Sequence, residues 1–91
     1  MAITIHLPLV LARLADGQRV LEASGVTLGD AVGDVATRFP SLGERLRDDA
    51  GNPYPFVNYY LNDEDARFHG GFQASVQDGD EVTVVPAIAG G

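Results

Sequence analysis

The chain has 91 residues, enough for one small domain with a single core, and its 45% hydrophobic and 21% charged content is that of a globular protein rather than a disordered one. A net charge of −7, with no lysine and thirteen acids against six arginines, removes the basic patch that phosphate binding needs, so nucleic acid is excluded as a partner while a basic protein surface is not. With no cysteine there is no disulfide, thiolate nucleophile or cysteine–metal site, and with no lysine there is no Schiff base.

In chain order, the start "MAITIHLPLVL" lacks a basic flank and alternates, so it reads as a strand rather than a secretory signal, and no stretch is long enough to span a bilayer. A cytoplasmic protein with no membrane partner is expected. Ile3, Ile5 and Leu7 fall on one face of that strand, and Thr4, His6 and Pro8 on the other, with Pro8 marking an edge or the end of pairing. Asp16–Gly17 reads as a turn. Val20 and Glu22 then alternate with Leu21 and Ala23, which predicts a β-hairpin.

Thr27 is a good N-cap, with Asp30 three residues on, and Leu28, Ala31, Val32, Val35 and Phe39 recur at helical spacing before Pro40. Gly29 and Gly33 weaken such a helix by about 1 kcal/mol each, so packing onto a sheet has to hold it. Ser41 and Glu44 read as a capping box opening a short second helix, with Leu42 and Leu46 inward. Residues 48–55 are a loop and 56–62 a strand. Asn62 to Asp65 is a polar turn, since the twelve-residue calcium-loop pattern is missing. "FHGGF" is a tight connection. Asp78–Gly79–Asp80 reads as a hairpin-type turn before a last strand, 81–86. His6 and His69 have no ligand spacing and read as surface or turn residues, so no metal site is expected.

Strand, strand, helix, short helix, strand, turns, strand is an α+β order, with a helix on one face of a mixed sheet. One domain over 1–86 is expected, followed by a flexible Gly-Gly tail, 87–91. If Ile3, Ile5, Leu7, Val57, Tyr59, Leu61, Val82 and Val84 face the helix, then Thr4, His6, Phe56, Asn58, Tyr60, Thr83 and Val85 face away. Phe56, Asn58, Tyr60 and Val85 are candidates for partner binding, unless Pro8, Pro55 or loops cover them.

The segments "FVNYYLNDEDARFHGG", "LGERL", "DGDEVT" and the closing "VVPAIAGG" resemble the ubiquitin-like (β-grasp) prokaryotic sulfur carriers, and within them the cysteine-forming CysO type. The thiamin sulfur carrier and the small subunit of molybdopterin synthase are related. The resemblance covers nearly the whole chain and implies a β-grasp. It implies a protein co-substrate rather than an enzyme, with no bound cofactor and a monomer when free. Its partners would be an adenylating, ubiquitin-activating-like enzyme that uses ATP, a sulfur donor, and an acceptor synthase carrying pyridoxal phosphate (PLP) if cysteine is the product. Gly91 would be adenylated at its carboxylate and converted to a thiocarboxylate. Gly90, Ala89, Ile88 and Ala87 would thread a narrow channel, with Pro86 stiffening the base of the arm. Arg67 matches an arginine of the carriers, and can pair with Asp63 or Asp65 as readily as with a partner. The same activated glycine would serve a molybdopterin-type or other metabolite pathway, or a modifier joined to lysines of other proteins. A plain β-grasp binding module is the third reading.

Overall fold

The computed structural model describes residues 2–86; the calls on Ala87, Ile88, Ala89, Gly90 and Gly91 lie outside the described residues. Five strands form one mixed sheet: β1 (Ala2–His6), β2 (Val20–Ser24), β3 (Val57–Leu61), β4 (Glu64–Asp65) and β5 (Glu81–Pro86). Their order is β2-β1-β5-β3-β4, with β1 and β5 parallel and the other neighbours antiparallel. Three helices complete it: α1 (Leu9–Ala12), α2 (Leu28–Arg38) and α3 (Pro40–Leu46), with 3₁₀ turns at 13–15, 66–69 and 71–73. This is the expected β-grasp, with the last strand at the centre of the sheet. No helix among the described residues is long and apolar enough to cross a membrane.

Period-two alternation decides which side chains enter the core. Ile3, Ile5, Leu21, Ala23, Val57, Tyr59, Val82 and Val84 are all buried against the helical layer. The α2 stripe meets them with Leu28, Ala31, Val32 and Val35 buried and Phe39 packed on the edge of the core. Each fully buried Leu, Ile or Val contributes about 1.5–3 kcal/mol of transfer free energy. Thr27 caps α2 as expected, its hydroxyl accepting from the Asp30 N–H at 3.1 Å. The reciprocal bond is displaced by one residue: the Asp30 carboxylate takes the N–H of Val26 instead. Gly29 sits where a Cβ would stand 3.0 Å from the Phe72 carbonyl oxygen, so this glycine lets the 71–73 turn lie on the helix. Tyr59 is buried with its hydroxyl donating to the Leu46 carbonyl at 2.6 Å. Burial pushes its phenol well above the usual range, and Arg47 offsets a little of that.

Several local expectations are corrected. Regular pairing of β1 ends at His6, in line with the expectation at Pro8, but Leu9–Leu11, which the alternation reads as strand, are helical, and the helical turns run on to Ala15. Pro8 is the N-cap of α1, where its missing N–H costs nothing, and Leu11, Ala12 and Ala15 turn inward at helical spacing. The chain leaves this turn through Asp16 at φ 56°, and the β1–β2 hairpin therefore carries a helical connection. Ser41 does not cap α3: Pro40 already occupies its first turn, Phe39 is the N-cap, and no side chain caps it. Leu42 and Leu46 are buried as expected. Asn62 and Asp63 both take positive φ, forming a two-residue hairpin turn, so Glu64 and Asp65 belong to β4 rather than to the turn. The 78–80 turn does not close a hairpin; it leads from the last 3₁₀ turn into β5.

Candidate functional site

The strand that ends at the sequence's functional candidates is held on both sides. β5 pairs with β1 through Thr4–His6 and with β3 along its length, from Leu61↔Val82 to Val57↔Pro86. Val82 and Thr83 are thus paired on both sides and Val84–Pro86 on the β3 side, so Pro86 is the last rung of the β3–β5 ladder. Val82, Val84 and Pro86 point to the helical side, and Thr83 and Val85 to the other.

The outward face carries the expected residues. Registers place Val20, His6, Thr83, Tyr60 and Asp65 in one row across the sheet, with Asn58 beside Val85 in the next. Val85 is 40% exposed, and Asn58 and Tyr60 are half-buried. Phe56 is 53% exposed but is not a strand residue: it lies in the turn before β3, stacked on Tyr54 at 4.9 Å between ring centroids. Pro8, Pro55 and the loops therefore leave Phe56 and Val85 uncovered.

Acids edge this face. His6 Nε2 lies 2.7 Å from Glu81 Oε1, and His69 Nε2 2.9 Å from Glu64 Oε1, so both histidines are surface partners of glutamates. Among the described residues, no group of three or more His, Asp or Glu could hold a metal ion. The Asp78 and Asp80 carboxylates are occupied in shaping their turn: Asp78 accepts from the Ala2 N–H, and Asp80 from the Gln77 N–H and the Asn62 amide.

Arg67 chooses Asp65, not Asp63. Its Nη2 lies 2.7 Å from Asp65 Oδ2 and its Nε 3.1 Å from Oδ1, a forked pair, while the Arg67 backbone N–H also donates to Oδ1. These bonds hold Asp65 below the usual carboxylate range and push Arg67 up. A depressed folded pKa means stabilisation that is present above the unfolded value, about 3.9, and lost as pH falls through the folded one. The melting temperature of wild type should therefore exceed that of Asp65→Asn by a constant margin from about pH 5 to 8, and the margin should close toward pH 3. A margin independent of pH would assign the effect to packing instead.

Two features were not read from the sequence. A cleft of about 210 Å³ opens where Tyr54, Val57, Tyr59 and Phe72 meet, with Arg67 among its lining. Nothing local signals it, because four separate segments build it. The second is the helical turn α1, which leaves Leu9 and Val10 exposed beside the end of β5. Its signal was present: Leu11, Ala12 and Ala15 after Pro8 follow a helical rather than an alternating period.

Comparison with known proteins agrees with this geometry. The sulfur carrier protein CysO of Mycobacterium tuberculosis is 43% identical over 93 residues, covering all of both chains. A chain of the BexX/CysO complex of Amycolatopsis orientalis superposes with a TM-score of 0.90 at 40% identity, covering 99% of this chain and all of that one. SAMP1 of Haloferax volcanii superposes with a TM-score of 0.85 at 28% identity over the whole of both chains. The ThiS family profile matches residues 5–91, and the chain belongs to the ThiS family.

Proposed function

We propose that this protein is a sulfur carrier of the CysO type, a co-substrate rather than a catalyst, whose Gly91 carboxylate is the group that carries sulfur. The observation that carries the reading is full-length identity of 43% to a protein named as a sulfur carrier, in a chain whose sequence runs from a central strand into Gly90–Gly91. A terminal carboxylate has a pKa of about 3.3–3.7 and is ionised at neutral pH, so it is a poor electrophile until activated. A carboxylate oxygen attacks the α-phosphorus of ATP on a partner enzyme, and pyrophosphate leaves. Sulfide from a donor then attacks the acyl carbon, the bond to AMP breaks, and a thiocarboxylate remains. Glycine at positions 90 and 91 gives the backbone access to a narrow channel. Cysteine formation on a PLP-dependent synthase is the destination that the CysO likeness favours. The face with Phe56, Tyr60 and Val85 serves docking, and the BexX/CysO complex supports a protein partner for this fold.

The absent residue types suit this role. No internal thiol or lysine competes for the activated acyl group. A second reading, a protein modifier, is favoured by the likeness to the Haloferax volcanii small archaeal modifier protein 1 at 27% identity. Intact mass after incubation with ATP, an adenylating enzyme and sulfide separates the two. A gain of about 16 Da, one oxygen replaced by sulfur, is expected for the carrier. Adducts at the mass of whole proteins would make it a modifier, and an unchanged mass would leave only a binding module.

A further inference from the structure

We propose that Asp34 and Arg38 of α2 stand in for a missing strand along the free edge of β2, and that without them this edge pairs with β2 of a second copy of the chain. β2 is the outermost strand, with β1 on one side and, among the described residues, no strand on the other. The Thr4 N–H turns to the β5 side, where it donates to the Asp80 carbonyl at 3.0 Å, so Ile3 and Ile5 turn their backbone groups to β2. Their partners there are Ala23 and Leu21. Val20, Glu22 and Ser24 therefore aim their N–H and C=O groups out along the edge, the kind of row that templates pairing between chains.

Two of these groups are taken by side chains of α2. The Ser24 N–H donates to Asp34 Oδ2 at 2.9 Å, and Arg38 Nη2 donates to the Glu22 carbonyl. A single residue of a parallel strand would meet the same two groups with its own C=O and N–H. Asp34 and Arg38 lie one turn apart on α2 and pair at 3.5 Å, Arg38 Nε to Asp34 Oδ1, so they supply that acceptor and donor as a unit. Glu22 is the residue on which self-pairing turns. It is the middle of the three outward residues, so any two-fold antiparallel pairing of β2 with itself that engages more than one of them uses the Glu22 carbonyl. Registers that set Glu22 opposite Val20 or Ser24 of the second copy avoid a pair of like charges. Val20, 56% exposed, adds apolar area to such a contact. The edge is thus complementary to itself once the Glu22 carbonyl is released.

Analytical ultracentrifugation of the full chain is the test. Asp34→Ala with Arg38→Ala keeps the net charge at −7, so repulsion between copies is unchanged, and alanine suits a helix interior. Wild type should stay monomeric up to about 1 mM, whereas the double variant should dimerise with Kd of about 100 μM or tighter, a gain of about tenfold or more. Hydrogen exchange locates the contact: the Glu22 amide of the double variant should exchange about tenfold more slowly in concentrated than in dilute solution. Arg38→Ala alone, which frees the Glu22 carbonyl, is a second arm and should also self-associate. Arg38→Lys keeps a donor and should not. Thermal melting in dilute solution checks that each variant is folded. Folded variants that remain monomeric at about 1 mM would overturn the proposal. So would a dimer that leaves the Glu22 amide unchanged, or a wild type that already dimerises through it. None of these outcomes bears on the reading of Gly91.

Discussion

Gly90→Val is expected to lower adenylation by about a hundredfold or more while leaving thermal melting unchanged. A Cβ branch restricts the backbone and widens the chain at the residue next to the reacting carboxyl. Stability should not respond, because among the described residues the core runs from Ile3 to Val84 and Ala89–Gly91 bring at most one methyl group to bury. A single alanine added after Gly91 attacks the same step differently. It leaves Gly90 intact but displaces the carboxyl by about 3.5 Å. Misplacement on that scale is again worth about a hundredfold. Pyrophosphate exchange measured beside melting curves for wild type and both variants checks the pair. Undiminished exchange by both, with unchanged melting, would remove the terminal glycines from the chemistry and leave a β-grasp binding module.

The strand before the two glycines is the central one of the sheet. β5 is paired with β1 over Glu81–Thr83 and with β3 from Val82 to Pro86. That central position was not legible in the sequence. Alternation showed that Val82 and Val84 face inward, but strand order depends on which neighbours the core assembles, not on any local pattern. What was legible rested on short-range chemistry. Thr27 and Asp30 announced the start of α2, and the stripe from Leu28 to Val35 its buried side. The errors had local causes too. The alternation from Ile3 to Leu7 extends on paper through Leu11, although Pro8 favours a helix start there. The Ser41–Glu44 pair imitates a capping box, but Pro40 had already set the first turn of α3. On the candidate site, period two placed Tyr60 and Val85 correctly. Phe56, one residue before β3, fell outside that rule, and its exposure follows from stacking on Tyr54. Arg67 could not be assigned to Asp63 or Asp65 until the hairpin turn at Asn62–Asp63 put Asp65 on the strand side.

Gly43→Val should cost about 2–3 kcal/mol, a loss of stability with no change in the chemistry of the tail. Gly43 lies in α3 where that helix crosses α2. A Cβ there would stand 2.7 Å from Ala36 Cβ, 3.0 Å from Ala36 Cα and 3.3 Å from the Ala36 carbonyl oxygen. The first contact is shorter than carbon atoms tolerate, and the others are with backbone, so no side-chain rotation relieves them. α3 has to lift. Leu42 and Leu46, both fully buried, move with it, and so does the Leu46 carbonyl that accepts the Tyr59 hydroxyl. Opposing this, replacing a helical glycine normally gains about 1 kcal/mol in propensity for alanine and less for a β-branched residue. The steric loss is the larger for valine, and a domain of this size should melt about 10–20 °C lower. Gly43→Ala should lose less, and adding Ala36→Gly to it should recover part of that loss by removing the 2.7 Å contact. Denaturant unfolding of the three variants measures this. Wild-type stability in Gly43→Val would mean that the two helices do not meet at this glycine, and that the short second helix is not locked to the first.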